Sequence, residues 1–288
     1  MEDWMKDTLG MPKTQIKLLL GERSDMSSEH IPDDALRPTR ANILNTFHGL
    51  ATNSEIKKGD SIIIFFSGHG SSCQCLDCRR AIFGDTDSSW KMSSVPDSAL
   101  EVEFYKDRCP IEAICPIDRD SLENGAHIPD ISDREINNIL AKIHQMTGAY
   151  ITVILDCCHS GGATKAPQEG SVRATRPLGQ KTFVRMLDCA KDSMGGWSGY
   201  RDVWEKKWAP DMGSHIVLAA CRDYQLAKET EQDGHGYRGV FTSALVKTLT
   251  SGVLNEGSTY VDLINALPKW DSQTPIVAGN RKKERLWC

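Results

Sequence analysis

Two short apolar runs each end in a reactive side chain, and together they leave few folds open. Ile62-Ile63-Ile64-Phe65-Phe66 runs into Ser67-Gly68-His69-Gly70, and Ile151-Thr152-Val153-Ile154-Leu155 runs into Asp156-Cys157-Cys158-His159-Ser160-Gly161. Each run is about five residues, rich in β-branched or aromatic types and bounded by glycine, which is the pattern of a fully buried strand. Helix-patterned sequence lies between them, so the spacing predicts a right-handed crossover and a parallel pair. Parallel strands bring their carboxyl ends to one edge of the sheet, where open α/β sheets carry their sites. His69 and Cys158, about ninety residues apart in the chain, would then meet on that edge. This is the layout of a Cys-His nucleophilic enzyme.

The remaining segments fit one α/β domain over residues 1–288. Residues 2–9 read as the end of a helix stopped at Gly10, and Gln15-Ile16-Lys17-Leu18-Leu19-Leu20 as a short strand. Thr39 caps a helix reaching about Asn53, with Ile43, Leu44, Phe47 and Leu50 at helical spacing. A long irregular stretch, about 71–130, is rich in Cys, Asp, Ser and Pro. Asp133 then opens a helix with Ile136, Ile139, Leu140 and Ile143 on one face. Residues 163–213 show little consistent period and read as a connection between a 1–162 part and a 214–288 part. In the latter, His215–Ala220 is a third buried strand that breaks into Cys221-Arg222-Asp223, and helices at about 239–250 and 259–267 precede a last strand near Pro275-Ile276-Val277.

Composition excludes several function classes. The formal charge of −5 argues against nucleic acid as the main partner. No apolar stretch approaches the ~20 residues of a membrane span, and the acidic start Met1-Glu2-Asp3-Trp4 has no signal-peptide core. Ten cysteines without a secretory signal point to reduced thiols and a cytoplasmic or nuclear protein. Cys73-Gln74-Cys75-Leu76-Asp77-Cys78, with Cys109 and Cys115, lacks a second clean CxxC pair, so free thiols are favoured over zinc. Trp197, Trp204 and Trp208 read as loop residues packed on the core rather than a binding face.

A cysteine attacks carbonyls as the thiolate and needs a neighbour that removes its proton. His69 is the candidate, because a Gly-His-Gly turn frees the imidazole from packing. The N–H groups of Gly70 and Cys158 are candidate oxyanion donors. Asp156 has three readings: a carboxylate that orients a histidine, one wall of a pocket for a cationic group, or a cap at the start of the next helix. Nothing in the local sequence chooses Cys158 over Cys157. A redox role for the vicinal pair is disfavoured, because adjacent cysteines strain a disulfide ring.

With these residues in view, the chain resembles the caspase-type cysteine peptidases, specifically the metacaspases and the related caspase-domain proteins of fungi. Ser67-Gly68-His69-Gly70 is similar to their histidine motif, and Asp156 to Gly161 to their cysteine motif. Ala219-Ala220-Cys221-Arg222-Asp223, Gly239-Val240-Phe241-Thr242-Ser243-Ala244-Leu245 and Gln273-Thr274-Pro275 are similar to the later segments. The resemblance implies a three-layer fold, with helices on both faces of a mostly parallel sheet. It implies a cysteine endopeptidase with His69 as general base and Cys158 as nucleophile. Asp156, with Ser67 and Asp223, would form an acidic pocket, so proteins or peptides are cut after Arg or Lys. Zymogen processing is implied within 163–213, at Lys165, Arg173, Arg176, Lys181 or Arg185, and roles in cell death follow by analogy only.

The chemistry itself requires no cofactor. The resemblance adds calcium activation, for which Asp118, Asp130 and Asp133 are available carboxylates, although Arg134 replaces an acidic neighbour and Lys165 stands near the expected later aspartate. No ligand is assigned. The chain also begins at about the helix that follows the family's first strand, which would pair between 16–20 and 61–66. Its loss would leave 16–20 without a partner, and it motivates an alternative: an inactive or partner-dependent caspase-like regulatory or scaffold protein.

Overall fold

Ile62, Ile64 and Phe66 alternate with Ile63 and Phe65, so this strand is apolar on both faces and requires cover above and below. The computed structural model supplies it. It describes residues 1–21, 34–74, 108–157, 171–172, 180–194, 196–205, 208–222, 227–231, 237–271 and 273–287. The strands are β1 (Ser61–Ser67), β2 (Gly70–Gln74), β3 (Arg108–Ile114), β4 (Leu122–Glu123), β5 (Ala126–His127), β6 (Ile131–Ser132) and β7 (Tyr150–Asp156). They continue with β8 (Ser171–Val172), β9 (His215–Ala219), β10 (Lys228–Glu231), β11 (Tyr237–Gly239) and β12 (Ile276–Ala278). The helices are α1 (Glu2–Asp7), α2 (Arg40–Thr52), α3 (Asp133–Thr147), α4 (Gln180–Met194), α5 (Val240–Thr250) and α6 (Tyr260–Ala266).

The central sheet runs β1-β7-β9-β12, with β1, β7 and β9 parallel and β12 antiparallel to β9. One face gathers Ile63, Phe65, Ile154, Ile216 and Leu218 against Phe241 and Leu245 of α5 and Tyr260 and Leu263 of α6. The other gathers Ile62, Ile64, Phe66, Ile151 and Val153 against Ile43 and Leu44 of α2 and Ile139, Leu140 and Ile143 of α3. Helices thus cover both faces of a mostly parallel sheet, the three-layer arrangement expected. Short antiparallel sheets, β2-β3-β6, β11-β10-β8 and β4-β5, lie outside it.

Local signals set the helix bounds. The Thr39 hydroxyl accepts the Asn42 N–H at 3.2 Å to start α2, and Ser132 accepts the Glu135 N–H at 3.1 Å to start α3. Gly148 ends α3 in the left-handed region at φ +69°, returning its N–H to His144 O at 2.8 Å. A Cβ there would also press on Lys58, 2.9 Å from its Cγ.

Three segments differ from the sequence reading. Residues 16–20 are not a strand: a 3-10 turn, Lys13–Gln15, leads into irregular chain whose Leu20 N–H bonds Leu36 O at 2.9 Å. A strand needs a neighbour to pair with, and no strand lies beside this segment among the described residues. Its Leu19 instead packs into the α2 side of the core. The region taken as a connection contains α4, which buries Phe183, Met186, Leu187, Ala190 and Met194. The irregular stretch after His69 opens and closes as the β2–β3 pair, with Gly70 opposite Ile114.

Candidate active site

The register of β1 on β7 decides what meets at the sheet edge. Ile62 pairs with Ile151 and the ladder continues to Ser67 against Asp156, where both strands end. The Gly68 N–H still reaches Asp156 O at 3.3 Å. His69 therefore follows β1 by two residues on the edge where Cys157 and Cys158 follow β7. Cys158 itself, like Asp223, lies outside the described residues.

His69 is exposed, while the glycine after it is buried. The turn is tied down by its neighbours: Cys115 N–H donates to His69 O at 3.0 Å, and Gly70 then opens β2. Because the 69/115 pair is hydrogen-bonded, ladder alternation turns the Gly70 N–H away from β3. Beneath the turn, the Ser71 hydroxyl donates to Asp130 Oδ2, and Arg119 Nε donates to Asp130 Oδ1 at 2.6 Å. Asp130 is fully buried, and burial raises its pKa even with Ser71 and Arg119 opposing that shift. Burial, with Asp130 adding to it, also pushes the Cys115 thiol up to about 12, so it stays a neutral thiol at ordinary pH.

Of the two cysteines of the motif, Cys157 is described. Cys157 is 1% exposed and packs in the α2-side core with Val153 and Ile114, where no substrate reaches it. Asp156 is also buried, at 0% exposure. Its Oδ2 accepts the backbone N–H of Thr242 at 3.0 Å and the Thr242 hydroxyl, at the start of α5. The helix end it caps is that of α5, 86 residues along the chain, whereas the sequence reading placed a cap on the next helix. Ser67 pairs in register with Asp156 and is exposed.

A family profile described as Caspase domain matches residues 29–269, most of the chain. The chain belongs to the caspase-domain family. Its relatives are metacaspases of fungi and plants. Metacaspase-1A of Aspergillus oryzae is 23% identical over 287 residues, covering 93% of this chain and 57% of that protein. Metacaspase-1 of Cryptococcus neoformans is 26% identical over 298 residues (92% and 57%), and Metacaspase-2 of Arabidopsis thaliana 25% over 246 residues (84% and 45%). The chain thus spans about half the length of these relatives.

Within this caspase domain, the carboxylates considered for calcium do not converge. Asp118 accepts the Arg40 N–H at 2.9 Å, Asp130 holds Ser71 and Arg119, and Asp133 accepts the Arg134 N–H at 2.8 Å. Arg134 is itself buried, donating to Val203 O and to Glu205 O at 3.1 Å and lying over the Trp208 ring. Among the described residues no three His, Cys, Asp or Glu side chains form a metal-binding group. A buried guanidinium beside Asp133 is the wrong chemistry for a hard cation. Cys75 and Cys78, and with them the zinc reading, fall outside the described residues.

Of the basic residues considered for processing, Lys181 and Arg185 lie in α4, whereas Lys165, Arg173 and Arg176 are outside the described residues. No helix among the described residues is long and apolar enough to cross a membrane. Sequence reasoning did not single out Thr242, although it lies in the Gly239–Leu245 segment of the resemblance, and the Ser71–Asp130–Arg119 network gives no local signal. Gly239, the N-cap of α5, carried one: it precedes a helix with no capping side chain of its own.

Proposed function

We propose that the chain is a cysteine endopeptidase that cleaves proteins or peptides after Arg or Lys through Cys158 and His69. The observation that carries this reading is the β1–β7 register, which ends both motif-bearing strands at the same level. Burial of Cys157 in the core leaves Cys158 as the nucleophile of the pair.

His69 takes the Cys158 thiol proton, and the thiolate sulfur attacks the carbonyl carbon of the scissile bond. The tetrahedral oxyanion is met by the N–H groups of Gly70 and Cys158. His69 then protonates the leaving amine as the C–N bond breaks, giving an acyl-enzyme and a free amino terminus. Water, deprotonated by His69, splits the thioester and restores the thiol. Asp156, with Ser67 and Asp223, supplies the negative charge that favours Arg or Lys at the cleaved position. Self-processing falls at Lys165, Arg173 or Arg176, because Lys181 and Arg185 sit in a helix and a peptidase needs extended substrate.

The test is hydrolysis of matched fluorogenic peptides ending in Arg or Asp, by wild type and Cys158→Ala, with and without calcium. Cleavage after Arg alone, lost in the variant, is expected. Cleavage after Asp, or activity surviving in Cys158→Ala, would overturn the reading. A partner-dependent domain is the second reading. One observation favours it: among the described residues no strand pairs with the outer edge of β1. It predicts that turnover appears only when another chain is added.

A further inference from the structure

Helix α5 begins without a cap of its own. Its N-cap residue is Gly239, which has no side chain to receive the N–H of Thr242, the third residue of the helix. The acceptor comes from the end of another strand: Asp156 Oδ2 receives that N–H at 3.0 Å and takes the Thr242 hydroxyl as well. The carboxylate occupies the space that a capping side chain would fill, since a Cβ on Gly239 would lie 1.9 Å from Oδ2. Glycine at 239 is thus a requirement of Asp156, not of its own backbone, which has an ordinary φ of −62°. The N-terminal end of α5 thus faces the buried carboxylate.

We infer that Thr242 and Gly239 are positioning residues for the carboxylate that selects a basic residue in the substrate. The 214–288 part of the chain then completes a site whose nucleophile belongs to the 1–162 part. This rests on the reading of Asp156 as the group that recognises Arg or Lys. Two donors from one residue hold Oδ2 in a single orientation. Loss of the hydroxyl removes one of the two bonds by which Thr242 fixes Oδ2, and the carboxylate is held less firmly about its χ2. A methyl group at 239 displaces it from the helix end altogether.

The experiment compares wild type, Thr242→Ser, Thr242→Val and Gly239→Ala. KM and kcat are read on Arg peptides, and the alkylation of Cys158 by iodoacetamide, which bears no basic group, reports the dyad alone. Melting temperatures identify any variant that fails to fold. Thr242→Val is expected to raise KM for Arg peptides about tenfold, with kcat and alkylation within about twofold of wild type. Thr242→Ser restores KM, and Gly239→Ala, where folded, loses more than Thr242→Val.

Equal loss in alkylation and peptide cleavage by Thr242→Val would make its role structural and overturn the inference. So would wild-type kinetics in that variant. A wild-type protein that is alkylated at Cys158 yet ignores Arg and Lys peptides would instead sink the specificity reading, and this inference with it.

Discussion

Cys157 and Cys158 are adjacent, and the roles proposed for them rest on the burial of Cys157. Cys157→Ala removes a thiol packed in the core and is expected to cost about 1–2 kcal/mol of stability while leaving turnover within about twofold. Cys158→Ala should lower turnover by at least about a thousandfold with little change in melting temperature. The local sequence held no sign of this difference, because adjacent residues of one type carry no pattern. A second residue-scale consequence concerns pH. Burial, with His144 adding to it and Asp211 opposing, lowers the His215 pKa from its ordinary 6.5 to about 4. A depressed basic group is neutral in the fold, so its contribution is present above about pH 6.5 and is lost as pH falls toward 4. Wild type should lose about 3 kcal/mol over that window from this group alone. Denaturant midpoints measured against pH should show a flatter acid limb in His215→Asn.

At the scale of elements, α3 does more than cover the sheet. Arg134, Asn137 and Asn138 lie three and four residues apart, on one face, and each bonds the backbone of the 200–211 loop. Asn138 accepts from Arg201 N and donates to Arg201 O, both at 2.9 Å, and Asn137 does the same with Asp211 at 2.8 and 3.3 Å. Asn138→Ala is therefore expected to speed amide exchange at residues 200–205 by about tenfold while α3 stays protected, as read by hydrogen–deuterium exchange. Equal loss of protection in α3 would mean that the contact stabilises the whole domain.

The elements also show where a sequence pattern suffices. β1, β7 and β9 were legible because a continuous β-branched run has few other uses, α2 because its Thr39 cap and apolar stripe agree, and α3 because its apolar stripe is regular. The α4 stripe, Phe183-Met186-Leu187-Ala190-Met194, is as regular, but Lys, Arg and Asp between its members hid the period. Residues 16–20 carry the composition of a strand and do not form one, because pairing depends on a neighbour and not on composition alone.

On the scale of the whole molecule, the two ends of the chain close the domain on itself. Trp4 of α1 lies 5.5 Å from Trp287, ring centre to ring centre, and Trp287 O accepts the Ser61 hydroxyl at the start of β1. The buried ion pair between Arg40 of α2 and Glu135 of α3, at 2.7 Å, joins the two helices on one face of the sheet. Burial raises the Glu135 pKa although Arg40 opposes it, so the carboxylate depends on its partner to remain charged. Arg40→Met should destabilise the domain by about 3–5 kcal/mol, whereas replacing both residues with apolar ones of similar volume should cost far less; urea denaturation measures both. Fold class and the common edge at which β1 and β7 end were readable in advance because they follow from strand order. The support beneath them, Asp130 under the His69 turn and α5 against Asp156, was not, because it joins residues 59 and 86 positions apart that no short pattern links.

The most direct test of the account is covalent labelling with a peptidyl-arginine chloromethyl ketone, located by intact mass and peptide mapping in wild type and His69→Ala. One adduct per chain at Cys158, formed at least about a hundredfold more slowly without His69, is the predicted result. An adduct on Cys157 or another thiol, or an unchanged rate in His69→Ala, would contradict it.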